Sequence, residues 1–218
     1  MAWGAGWLLL CATAVAVALA YPTDREASAA PAVATAADTG FSRDMAVHHQ
    51  QAVEMSFVVR DNTDDEEVRT LAFDVINTQA NQRGMMLGWL DMWQAPKVST
   101  DGAMAWMEGH GSGMAATEMP GMATREQLDR LRNAKGRDAE ILYLQLMIPH
   151  HQGGVAMGQA AVKQAKDPQV KALAEGIVRA QQSEVDLMTQ MLTRRGATPA
   201  ATSPSSPAPS APAPSQHH

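Results

Sequence analysis

Residues 45–55 read MAVHHQQAVEM, and residues 147–157 read MIPHHQGGVAM. Each stretch sets two adjacent histidines between methionines, and His48 and His150 are 150 − 48 = 102 positions apart. Imidazole and thioether form a soft-to-borderline donor set: imidazole serves both copper valences, and thioether favours Cu(I). Met45, His48, His49, Met55, Met147, His150, His151 and Met157 are therefore candidate metal ligands, with a copper ion as the expected cofactor and partner. The competing reading keeps these residues as core, with the imidazoles hydrogen-bonded among themselves and methionine filling space. A lone histidine on an apolar face favours that second reading; duplicated pairs bracketed by methionine favour the metal.

The same register continues without a gap. Val68, Leu71, Ala72, Gln79, Met86 and Leu90 match Val170, Leu173, Ala174, Gln181, Met188 and Leu192. A register of this length predicts two copies of one helical hairpin. The first helix is expected over about residues 41–60. The second follows Thr63 as N-cap, with Asp64, Asp65, Glu66 and Glu67 in its first turn, where the helix dipole favours acids, and ends near Trp93. A short helix follows the T-R-E-Q box at Thr124. The third long helix spans about 137–164, with a kink expected at Pro149. The fourth takes Asp167 as N-cap and Pro168 as its first residue, with Gly196 after its end. Four long helices without strand-like alternation predict an all-α four-helix bundle with approximate two-fold internal symmetry.

The periodicity then orients the histidines. At about 100° per residue, Phe41, Met45, His48, His49, Ala52, Met55 and Val59 fall on one arc, the only coherent apolar stripe, with Glu54 opposite. Tyr143, Met147, His150, His151, Gly154 and Met157 form the matching stripe, where Gly154 admits a close neighbour. The second helix contributes Gln79 and Gln82 to the core, and the fourth Gln181 and Glu184. A core this polar must find partners for each group. Between the hairpins, Met104, Met107, His110, Met114, Met119 and Met122 lie among glycines. They read either as a flexible Cu(I)-capturing loop or as an apolar loop laid over the bundle end and anchored by Trp106.

The ends carry different information. Residues 1–20 have no charged side chain, and Ala18-Leu19-Ala20 fits a cleavage site, so a secretory signal peptide is expected, with an uncleaved membrane anchor as the alternative. Cleavage would remove Cys11, the sole cysteine, leaving no thiolate chemistry. The organisation expected is leader 1–20, linker 21–37, bundle 38–196 (repeats 38–94 and 137–196 around a connection 95–136) and a Pro/Ala/Ser-rich disordered tail 197–218. The protein should be exported: periplasmic, extracellular or at the cell surface. The net charge of −6, with no basic cluster, argues against nucleic acid as a partner. Homo-oligomerisation stays open.

The Met-x-x-His-His-Gln helix, followed by a helix with Gln-x-x-Glu and a late methionine, resembles the exported "domain of unknown function 305" family. The likeness covers about residues 38–195, with Met147-Ile148-Pro149-His150-His151-Gln152 as its most specific piece and Met119-Pro120-Gly121-Met122 as a second. The resemblance implies a ferritin-like four-helix bundle, a link to copper in some members, and Met45, His48, His49, Met147, His150 and His151 as the residues that matter. This chain departs from a symmetrical pattern at Gln82, which stands where the second repeat has Glu184. A di-iron oxidase fits poorly: Glu184 is the one stripe-facing glutamate, and no Glu-x-x-His lies on the long helices. Hydrolase motifs are absent too, so a non-catalytic copper-binding protein is expected, with a metal-free structural or partner-binding bundle as the alternative.

Overall fold

Among the described residues, each α-helix but one begins where a side-chain oxygen can hold its free N–H groups. Thr35 caps α1 (Ala36–Asn62) in a reciprocal box with Asp38. Asp65 caps α2 (Glu66–Met92) through the Val68 N–H. Thr124 and Gln127 box the short α3 (Arg125–Asn133). α4 (Gly136–Gln164) starts after Lys135 without a side-chain cap and runs as one α-helix through Pro149. Asp167 caps α5 (Pro168–Arg194). These helices belong to a computed structural model that describes residues 33–107 and 113–199. The expected leader, Cys11, His110 and the tail from residue 200 on lie outside the described residues. No described helix is long and apolar enough to cross a membrane.

Two expectations need correction. α1 starts about a turn earlier than the apolar stripe implied, because the Thr35–Asp38 box extends it. The N-cap of α2 is Asp65 rather than Thr63. The Thr63 hydroxyl accepts the Asp65 N–H at 3.0 Å and donates to Glu140 Oε1 at 2.7 Å, so it joins two helices and leaves capping to the next aspartate. The bounds of α2 and α5, 66–92 and 168–194, then differ by 102 at both ends.

α1 packs on α2 and α4 packs on α5, and α1 lies against α4. Two apolar clusters fill the interior. One gathers Met55, Val59, Leu71, Val75, Tyr143, Met147 and Met188. The other gathers Phe41, Met45, Met86, Met104, Met119, Met157 and Ile177. At the first cluster's end, the Arg195 guanidinium bonds Glu140 at 2.8 Å and Asp65 at 3.0 Å, tying the end of α5 to the starts of α4 and α2.

α1 buries more than its apolar stripe. Asp44, Gln51 and Ser56 are also buried, and the connection between the hairpins accounts for the first two. Asp44 accepts the Met104 N–H at 2.7 Å and the Trp106 indole N–H at 2.9 Å. Burial pushes its carboxyl above the usual range against the pull of those two donors. Gln51 grips Ala123 twice, donating to its carbonyl at 3.0 Å and accepting its N–H at 2.7 Å. Asp44→Ala should leave two N–H groups unpaired, lower stability by about 2 kcal/mol and shift tryptophan emission to the red. A denaturant melt followed by fluorescence checks this. Unchanged midpoint and emission would mean that the connection is held by other contacts.

Candidate metal centre

His48, His49, His150 and His151 are all fully buried. The His48 and His150 rings stack across α1 and α4 with centroids 3.8 Å apart and planes 33° apart, and His151 lies 6.2 Å from His150. The two sequence motifs therefore meet in one layer. Along each helix the histidines fall between the two apolar clusters. Met45 shares a cluster with Met157, and Met55 shares the other with Met147. The structure thus brings the imidazoles together and divides the four candidate methionines into two groups flanking them.

Three of the rings have an oxygen acceptor at Nε2. His48 donates to the Pro120 carbonyl at 3.1 Å, His49 to Gln82 Oε1 at 2.7 Å and His151 to Glu184 Oε2 at 2.7 Å. A ring that donates from Nε2 carries a bare lone pair on Nδ1 when neutral. Among the described residues the Nδ1 atoms of His48, His49 and His151 have no partner, and His150 has none at either nitrogen. The amides of Gln79 and Gln181 in the same core are also unpartnered. Leaving one such group unmatched costs about 1–3 kcal/mol. An imidazole with one nitrogen held by a carboxylate, amide or carbonyl and the other bare is the arrangement seen in metal-ligating histidine, so the donor set fits a copper ion. Among the described residues, no three His, Cys, Asp or Glu side chains form a ready-made coordination sphere. An ion bound here would have to draw the rings together.

The electrostatics hold three of the four imidazoles neutral. Burial, the largest cause, lowers His48 to about 4 and His49 to about 3, with the adjacent His48 adding to the shift of His49. Burial and then the neighbouring imidazoles hold His150 well below its ordinary value. Neutral imidazole is the form that binds metal.

A strap over residues 119–123 covers the layer. Gly121 has φ +79°, and a Cβ there would lie 2.1 Å from the Pro149 carbonyl oxygen. A Cβ on Gly153 would meet the Pro120 oxygen at 2.0 Å, and one on Gly154 would meet Gln181 Oε1 at 2.1 Å. The close approach expected at Gly154 is thus present, with Gln181 as the neighbour. Sequence reasoning missed Pro120, Gln51 and Gly153 as parts of the site. Its one signal was Met119-Pro120-Gly121-Met122, a turn-forming pair between apolar residues. Met104 and Met119 are buried, and Met107, Met114 and Met122 pack half-buried on the same cluster. The described part of the methionine-rich connection is therefore laid over the bundle.

A helical bundle with a buried histidine layer between two methionine-containing clusters is the framework into which known proteins can now be placed. The chain belongs to the family described as Domain of unknown function (DUF305), which matches residues 38–192. It is similar to a DUF305 protein from Streptomyces coelicolor described as a candidate secreted protein: 54% identity and TM-score 0.71, over 75% of this chain and 96% of that one. It is also similar to CopM in its Cu(II)-bound form: 25% identity and TM-score 0.58, over 72% of this chain and 96% of that one. A curated relative, uncharacterized protein L153 of Acanthamoeba polyphaga mimivirus, is 42% identical over 53 residues, which are 24% of this chain and 35% of that protein's length.

Proposed function

We propose that this protein is exported and binds copper, buffering or carrying the ion without catalytic turnover. The observation that carries this reading is the single layer of four buried imidazoles with five ring nitrogens unpartnered among its described atoms. Neutral lone pairs inside a bundle attract a cation that prefers nitrogen and sulfur donors. Met45, Met55, Met147 and Met157 stand on either side of the layer as thioether donors for the Cu(I) valence. The Cu(II)-bound form of CopM, at 25% identity, supports the choice of metal. The Streptomyces coelicolor relative and the apolar residues 1–20 support export.

The chain's own residues would act as follows. Pro120, Gln82 and Glu184 fix Nε2–H on their histidines, so Nδ1 faces the ion. His150, free at both nitrogens, turns with the least loss of hydrogen bonding. The strap and the two apolar clusters exclude water.

Untagged protein titrated with Cu(I) and Cu(II) should bind tighter than micromolar, and His150→Ala should weaken binding by about tenfold or more. Binding no tighter than micromolar, or binding unchanged when His48, His49, His150 and His151 are all alanine, would sink the proposal.

A further inference from the structure

Gln82 and Glu184 occupy equivalent places in the repeat, 184 − 82 = 102. Each accepts the Nε2–H of the second histidine of its motif, at the same 2.7 Å. The half-sites therefore match in geometry and differ in charge, since one is closed by a neutral amide and the other by a carboxylate. The Glu184 side chain is 22% exposed while His151 is fully buried, so the carboxylate stands at the edge of the layer. Among the described residues its ion-pairing partner is His151, and no lysine or arginine reaches it.

A carboxylate behind an imidazole makes the far nitrogen a stronger donor and places negative charge near whatever that nitrogen binds. A doubly charged ion gains more from that charge than a singly charged one of the same element, because Coulomb energy scales with charge. An amide gives the same grip without this preference. We infer that Glu184 is a positioning residue that favours Cu(II) at His151, and that Gln82 leaves His49 without that preference. The inference rests on the copper-binding reading and adds to it an electronic difference between its halves.

The test measures Cu(II) and Cu(I) affinities of full-length wild type, Glu184→Gln, Gln82→Glu and the double swap. Glutamine at 184 can still accept the His151 N–H, and metal-free melts check that each variant is folded. Glu184→Gln should lose about tenfold or more in Cu(II) affinity with a smaller change for Cu(I). A tenfold change in the ratio raises the copper reduction potential by about 59 mV. Gln82→Glu should move the ratio the opposite way. The double swap should return it toward wild type, since the charge is relocated rather than lost. If both single variants keep the wild-type ratio, Glu184 does not discriminate valence and the inference is overturned while copper binding stands. A wild type that binds neither valence removes the copper reading itself, and this inference with it. Should Glu184→Gln fail to fold, the Gln82→Glu arm decides alone.

Discussion

Acidification from pH 7 to 4.5 is expected to cost the metal-free protein about 5 kcal/mol of folding stability from His48 and His49 together. The folded values lie at about 4 and about 3, and an unfolded histidine titrates near 6.5. Both are thus depressed by folding. The unfolded chain takes up protons first as the pH falls through about 6.5, so stability is full above that value and declines below it. The decline ends only when the folded rings protonate, near pH 4 and 3. At pH 4.5 each ring lies about two units below the unfolded value, at about 1.4 kcal/mol per unit. His150 adds a loss of the same sign. Asp44, whose carboxyl is raised by burial, opposes it as a single group. A loss of this size rivals the whole stability of an ordinary domain. Urea melts at pH 7 and pH 4.5 check it, and equal midpoints would show that the histidines are not buried neutral. Saturating copper should raise the midpoint at both pH values without removing the pH dependence, because the protons are taken up by the unfolded chain.

Gly121→Ala is expected to lower stability by about 3 kcal/mol and to open the layer. A non-glycine residue at φ +79° costs about 1–2 kcal/mol. Its Cβ would also press on the Pro149 oxygen at 2.1 Å and the His150 Cα at 2.7 Å. Both are backbone atoms of a packed helix, so the strap must lift instead. Lifting it removes the Pro120 acceptor of His48 and strains the paired bonds of Gln51 to Ala123, at roughly 1 kcal/mol each. Gly113→Ala is the control: φ is +96° and no described residue lies within 4 Å of its Cβ, so it bears the backbone cost alone. The melting temperature should fall much further for Gly121→Ala than for Gly113→Ala, and copper should associate faster with the former. Equal shifts would mean that the strap is not seated on α4.

The helices were legible because their signals are local. Asp167 and Pro168 mark the start of α5 by themselves, and the histidine arc follows from counting along one helix. The miss at Thr63 is instructive, since the repeat register already pointed to Asp65 as the counterpart of Asp167. Thr63 looked like a cap because its bond to Glu140 spans 77 positions and leaves no local trace. The burial of Asp44 and Gln51 was hidden for the same reason. Their partners lie 60 and 72 positions away, in a connection without regular periodicity. A helical wheel assigns one buried stripe, and α1 carries a second cover that no wheel can show. The motifs revealed that both histidine pairs face inward. That His48 stacks on His150, with the methionines sorted into separate clusters, depends on how α1 slides along α4.

Among the described residues the strap occurs once, although positions beneath it occur twice. Positions 48 and 150, and 51 and 153, are equivalents in the repeat. The strap gives His48 an acceptor and leaves His150 without one, and it offers Gln51 a backbone to grip while needing a bare Gly153 to fit. A pair of separate, identical hairpins would have to inherit every change in duplicate. One tether across the pair gives each half its own surroundings, so a mutation useful in one need not be harmful in the other. Gln82 set against Glu184, and Gln51 against Gly153, are differences of the kind that such freedom allows: the helices keep matching positions while the surroundings of the histidines differ.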